Sequence, residues 1–339
     1  MLHASTDGLF CAAGPFHIDP AGPVDLAIVT HAHADHARPG SSRYVCAMPG
    51  VPALRRRLGP DAAIEGWAYG DRHRVGNVEV SLHPAGHVAG SAQVRVHDGH
   101  ETWVVSGDYK HQPDPTCTPF ELVPCDTFVT EATFALPIYR WPPVESVIAD
   151  LRTWIAGNRQ AGRPTVLYAY SLGKAQRLIA LLGEHGGARS GGPSSVLDQP
   201  ALVHGAVANM VDAYRDAGIS LPEVEAVVDD TRGAATRGRV IIAPPSAINT
   251  PWLKRFPGAA TAMLSGWMRV RGARRWKGVD RGFVLSDHAD WPALLETIHA
   301  TGARRVLATH GYADVLARVC AERGLEAGVI DARVHGEEA

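Results

Sequence analysis

Short apolar runs alternate with longer amphipathic ones along this chain, the pattern of an α/β protein. Up to about Asp108 the runs are strand-like, at 24–30, 78–83, 92–96 and 102–105. Past Glu131 the rhythm changes. Val144, Val147, Ile148, Leu151, Trp154 and Ile155 recur at helical spacing and predict a helix over 144–158. A strand at 165–169, a helix at 173–182, a strand at 201–203, a helix at 207–217 and strands at 239–243 and 261–264 follow. These read as parallel βαβ units, a small α/β domain of its own. Within it the glycine-rich run 186–193 reads as a flexible loop. The end returns to a helix at 292–301, a strand at 305–309 and a helix at 313–323.

Composition narrows the class. At 339 residues the chain can bury one or two substantial cores. Hydrophobic residues make up 45% and charged residues 20%, which places it among globular proteins rather than disordered ones. A formal net charge of −2 means that any attraction to nucleic acid must come from a local patch. The five cysteines are odd in number and include no C-x-x-C, which argues against a disulfide framework or a zinc ribbon and fits a reducing compartment. Met1–Asp7 does not read as a signal peptide. No apolar stretch approaches the roughly 20 residues of a membrane span. No membrane partner is therefore expected, and the cytoplasm is the expected location.

The chemistry concentrates after the apolar run 24–30. His31-Ala32-His33-Ala34-Asp35-His36 sets four metal-binding side chains within six residues. Packing does not explain that run, because clustered imidazoles without a metal repel on protonation. Other polar residues share its placement after a strand: Asp108 after 103–105, Glu131 after 128–130 and His310 after 306–309. His87 lies in the loop 84–91. Sites in open α/β sheets gather at the carboxyl ends of strands, so these residues can converge. Imidazole with carboxylate favours zinc or manganese over calcium or magnesium. The reading is two ions, Zn or Mn: His31, His33 and His87 on one, Asp35, His36 and His310 on the other, and Asp108 bridging. Two such ions would activate water for phosphoryl hydrolysis. Taken singly, His87 and His310 could be packed or surface histidines, and Asp108 could be a turn residue.

Two segments point to nucleic acid. Ser171 and Lys174 follow a strand and open a helix, where free backbone N–H groups suit a phosphate; an ordinary helix N-terminus is the alternative. The run 267–277 sets Arg269, Arg271, Arg274, Arg275 and Lys277 among Trp267 and Trp276, a composition for phosphate contacts and base stacking, or else a solvated basic loop.

His31–His36, His87 in P-A-G-H, Asp108 in S-G-D and His310 in T-H-G resemble the motifs of the metallo-β-lactamase fold, an αββα sandwich with metals at one edge. Asp19 in H-I-D-P resembles that family's first motif, which implies an aspartate that orients a metal-site residue. Read alone, Asp19 is a turn residue before proline. Glu131 in T-E-A-T, His288 in L-S-D-H-A-D and His310 resemble motifs A, B and C of the β-CASP nucleases. The resemblance implies a metallo-β-lactamase domain in two parts, 1–140 and 266–339, with an inserted β-CASP α/β domain over 141–265 that forms a nucleic-acid cleft. It also implies that Glu131 and His288 form a proton-delivery pair that works with the metal-bound Asp35; the alternative for His288 is a cap on the following helix. In some members the second metal's histidine comes from the motif B segment, so His288 and His310 are alternative completions of that site.

The run from Ser265 through Trp291 is most similar to the bacterial ligase-associated DNA exonucleases. That implies a metal-dependent DNA exonuclease acting on DNA ends in repair, on single-stranded or end-containing DNA, beside an ATP-dependent DNA ligase and a helicase. Histidine at motif C is typical of RNA-processing members and keeps a β-CASP ribonuclease as the alternative. A small-molecule thioester or lactam hydrolase would need neither the insert nor the basic tryptophan-containing run, and a catalytically dead scaffold would not need the intact ligand set.

Overall fold

The computed structural model describes residues 1–183, 199–270 and 278–330. It is a mixed α/β protein with three sheets, and the chain divides into two compact units. One comprises Met1–Arg140 and the residues from Asp287 onward; the other is Trp141–Ser286.

The first unit opens with β1 (Leu2–Ser5), β2 (Gly8–Cys11), β3 (Phe16–Ile18), β4 (Leu26–Ile28), β5 (Arg43–Ala47) and β6 (Ile64–Trp67), with α1 (Val51–Leu58) between the last two. These six strands form one sheet in chain order, parallel from β3 onward. A second sheet has the order β19-β18-β11-β10-β9-β8-β7. Its strands are β7 (His73–Val75), β8 (Val78–Pro84), β9 (Ala92–His97), β10 (Thr102–Val105), β11 (Thr127–Glu131), β18 (Arg305–Thr309) and β19 (Glu326–Val329).

Period-two alternation decides what each face of this second sheet covers. Val78, Val80, Leu82, Val94, Val96, Trp103, Val105 and Val129 join Leu9, Phe16, Ile18, Ile28 and Val45 of the first sheet in one core. Val104, Phe128, Val306 and Ala308 point the other way. They pack with Leu294 and Ile298 of α5 (Trp291–Ala300) and with Leu316 and Cys320 of α6 (Ala313–Glu322). The unit is thus two sheets face to face, with helices on the outer face of the second.

Strand direction positions the site. β8 and β10 both run antiparallel to β9, while β11 and β18 run parallel to β10. All four therefore end at the same edge of the sheet. His87, Asp108, Glu131 and His310 lie at or just beyond those four ends.

The second unit is a parallel sheet in the order β14-β13-β15-β12-β16-β17. Its strands are β12 (Thr165–Tyr168), β13 (Ala201–Val203), β14 (Val224–Ala226), β15 (Val240–Ala243), β16 (Ala260–Leu264) and β17 (Arg281–Phe283); its helices are α2 (Val144–Gln160), α3 (Lys174–Gly183) and α4 (Gly205–Asp216). The sequence boundary at 265/266 falls between β16 and β17. These two strands pair, and Arg281 bonds Asp150 of α2 at 2.7 Å, so the second unit continues to Ser286. β17 is three residues of which only Phe283 is buried, so it lacks the apolar run that marks a strand in the sequence. The glycine-rich run 186–193 lies outside the described residues. Among the described residues, no helix is long and apolar enough to cross a membrane.

Candidate metal centre

The turn after β4 is built by Asp19. Its Oδ1 accepts from the Thr30 backbone N–H at 2.7 Å and its Oδ2 from Thr30 Oγ1 at 2.5 Å. The same Oδ2 accepts from His36 Nδ1 at 2.7 Å. This holds His36 by its Nδ1–H and turns Nε2 toward Asp35 and Asp108, where a cation would take the place of the Nε2 proton. Asp19 itself has φ 46, a left-handed backbone that aspartate tolerates better than most residues. The turn closes through His36 N–H and Ala37 N–H, both donated to the His33 carbonyl.

Four donors converge beside it. His31 Nε2 lies 3.0 Å from His33 Nδ1, and His87 Nε2 lies 3.2 Å from the same atom. Asp108 Oδ2 stands 3.4 Å from His31 Nε2 and 3.7 Å from His87 Nε2. His87 donates its Nδ1–H to the Asp287 carbonyl at 2.6 Å, so its Nε2 faces the cluster as a lone pair. Among the described residues, two groups are placed so that they could hold a metal ion: His31, His33, His87 and Asp108, and then Asp108, Glu131 and His288.

The remaining candidates are close by but looser. His36 Nε2 is 3.7 Å from both Asp35 Oδ2 and Asp108 Oδ2. The His310 ring centres 5.4 Å from that of His36. His310 has φ 60, a strained conformation for a non-glycine residue at the end of β18. Gly311 follows at φ 50, where a Cβ would meet the Ala132 carbonyl at 2.5 Å. Glu131 accepts from the Tyr109 backbone N–H at 2.7 Å and pairs with His288 Nδ1 at 2.8 Å. His288 Nδ1 is also 4.0 Å from Asp108 Oδ2.

Burial, with the neighbouring imidazoles, holds His31 and His87 far below the usual histidine range, so both are neutral donors. Burial opposes charge on His36 too, but Asp108, Asp19 and Asp35 outweigh it and raise its pKa to about 10. Burial pushes Asp108 up to about 7 despite His36 and His288. Burial also works to raise Glu131, but His288 and its hydrogen bond win and keep the carboxyl ionised.

These residues fit divalent cations. Both ring nitrogens of His310 are buried and have no hydrogen-bond partner among the described residues, which is costly unless an ion takes a lone pair. The three nitrogens at His33 cannot all be satisfied by N–H···N bonds, since neutral imidazole carries one proton. Nitrogen with carboxylate is the donor set of zinc or manganese.

The nucleic-acid candidates belong to the second unit. Lys174 begins α3 and is buried, with Nζ 5.5 Å over the Tyr170 ring. Ser171 precedes it. The N–H groups of Gly173, Lys174 and Ala175 already donate to Gln176 Oε1 and to the Leu172 and Tyr170 carbonyls, so this end does not offer the open row expected of it. Arg269 is exposed. Arg271, Arg274, Arg275, Trp276 and Lys277 lie outside the described residues.

Sequence reasoning missed Lys110, Asp114 and Asp287, which form a buried charged group against His87. Their signal was a lysine two residues past Asp108 and an aspartate just before His288.

No family model matches the chain. It is 31% identical over 325 residues to a protein from Opitutus terrae named probable DNA ligase, covering 95% of this chain and 30% of that protein. It is 26% identical over 225 residues to endoribonuclease YSH1 of Gibberella zeae, covering 55% of this chain and 26% of that one. The chain thus spans less than a third of either relative. Among solved structures, a protein of unknown function from Enterococcus faecalis V583 aligns with TM-score 0.55 at 12% identity, over 86% of this chain and 76% of that one, a likeness of fold alone.

Proposed function

We propose that this chain is a dinuclear metal-dependent phosphodiesterase of the β-CASP metallo-β-lactamase family that hydrolyses DNA from its ends in repair. The carrying observation is the Glu131–His288 pair set 4.0 Å from Asp108, the carboxylate that also faces three imidazoles. The two-sheet unit with outer helices supports the αββα sandwich, and the parallel second unit supports an inserted β-CASP domain. The similarity over 325 residues to a ligase-named protein supports DNA and a ligase as partner.

His31, His33, His87 and Asp108 would hold one ion; Asp35, His36, His310 and Asp108 the other. His310 is the better completion than His288, because His288 Nδ1 is engaged by Glu131 while neither His310 nitrogen has a hydrogen-bond partner among the described residues. Such ions activate water and neutralise charge on a phosphoryl group. Asp19 and the Asp287 carbonyl orient His36 and His87. Glu131, ionised and held by the Tyr109 N–H, fixes the His288 tautomer. Facing that carboxylate, His288 can carry a second proton as imidazolium and give it from Nε2 to the leaving oxygen, returning to the neutral Nδ1–H form. Arg269, exposed, and the basic run after it are the proposed backbone contacts.

The test is matched end-labelled DNA and RNA, incubated with metal-free protein and with added zinc or manganese. Stepwise loss of DNA label with metal is expected; degradation of RNA alone would overturn the DNA reading. The similarity to an endoribonuclease-named protein favours that second reading, a ribonuclease on the same site.

A further inference from the structure

Lys110 is 1% exposed, unusual for an ammonium group. Its Nζ donates to Asp114 Oδ2 at 2.6 Å and to the His87 backbone carbonyl at 3.2 Å, and stands 3.7 Å from Asp287 Oδ1. Asp114 is itself locked by Thr116, whose N–H and Oγ1 donate to its other oxygen at 2.8 and 2.6 Å. A buried cation is expensive unless it is paired and bonded in this way.

What it holds is the point. His87 is gripped twice: its carbonyl by Lys110, and its Nδ1–H by the carbonyl of Asp287. The side chain of Asp287 returns to Lys110. Asp287 is the first residue of the first unit after the chain leaves the second. The next residue is His288, and Ala289 N–H donates to the Tyr109 carbonyl at 2.6 Å, beside Lys110.

We infer that Lys110 is a positioning residue that ties the loop of His87 to the returning segment 287–288. It thereby couples a metal-binding imidazole to the Glu131–His288 pair. This rests on reading His87 as a metal donor. It does not rest on the substrate, so it is tested by metal affinity, which stands even if nuclease activity is never found.

The variant is Lys110→Met with Asp114→Asn, which removes one charge of each sign. Zinc affinity is measured by competition with a chromogenic chelator, with circular dichroism and melting of the metal-free protein alongside. Leu316→Ala, in the core against the outer face of the second sheet, sets how far affinity falls through lost stability alone. The expected result is a 10- to 100-fold loss of zinc affinity beyond that control, the usual effect of removing an outer partner of a ligand. A loss no greater than the control's would overturn the inference. Should the double variant not fold, Asp287→Asn decides. It keeps shape and the carbonyl to His87, and should still weaken zinc several-fold; unchanged affinity there would also overturn the inference. Asp287→Asn combined with Lys110→Met should cost less than the sum of the two single losses, because both act through one contact.

Discussion

Glu131 Oε2 accepts from His288 Nδ1 at 2.8 Å, although 157 positions separate the two residues. The bond joins the end of β11 to the segment on which the chain re-enters the first unit. Glu131 is 1% exposed, and its other oxygen takes the Tyr109 N–H, so the carboxylate cannot swing away. The pair is therefore built to hold one imidazole tautomer beside Asp108.

Glu131→Gln and His288→Ala should each slow cleavage by about 10²–10⁴-fold, the usual contribution of a positioned proton donor. Both should retain the metal content of the unaltered protein. Elemental analysis of purified His288→Ala is the deciding measurement. Loss of one metal equivalent there would make His288 a ligand and return His310 to a packing role.

Asp19 makes a different kind of contribution. Its carboxylate serves Thr30 and His36 together and faces no ligand position itself. Asp19→Asn keeps the size of the side chain but puts an amide where two acceptor oxygens are needed. Metal affinity should fall about 10–100-fold, as when an orienting partner is lost. Titration against a chelator would show this, and equal affinity would mean that the turn alone orients His36.

The sequence made the His31–His36 cluster and the parallel second unit legible for the same reason. Both are local: six consecutive residues in one case, periods of two and 3.6 in the other. The strands at 305–309 and the helix from 144 emerged within two residues of their observed limits, because long apolar faces register in any window. The hairpin β1–β2 and the strands β14, β17 and β19 were not visible, since three or four residues with mixed burial show no clear alternation. Lys110 was hidden for a deeper reason. Its partners Asp114, His87 and Asp287 come from three separate segments, and nothing in the order of residues says that they meet.

His111 supplies a pH dependence away from the ligands. Thr297 Oγ1 donates to the Ala293 carbonyl, so it must accept from His111 Nε2–H at 2.9 Å. Burial lowers the His111 pKa below 6.5, against the pull of Glu296 and Asp290. The unfolded chain then binds more protons between the two pKa values, so this contribution is complete above pH 6.5 and is lost as pH falls below it. His111→Gln, whose amide can still donate to Thr297, should narrow the difference in melting temperature between pH 7 and pH 5. An unchanged difference would assign the acid sensitivity to other groups.

Gly107 tests whether backbone shape at the site matters beyond its cost in stability. It has φ 55, and a Cβ there would stand 2.7 Å from Thr30 Cβ. Gly302, just after α5, has φ 70 and nothing within 4 Å of its Cβ position. Alanine at either position adopts a left-handed backbone at about 1–2 kcal/mol. Gly302→Ala should therefore lower the melting temperature and leave metal affinity intact. Gly107→Ala carries the same backbone cost and also displaces Thr30, which sits between Asp19 and His31 and is bonded to the first. It should melt lower than Gly302→Ala and bind zinc more weakly. If the two variants bind zinc equally, the close approach of 106–108 to Thr30 serves folding only, and the placement of Asp108 does not depend on it.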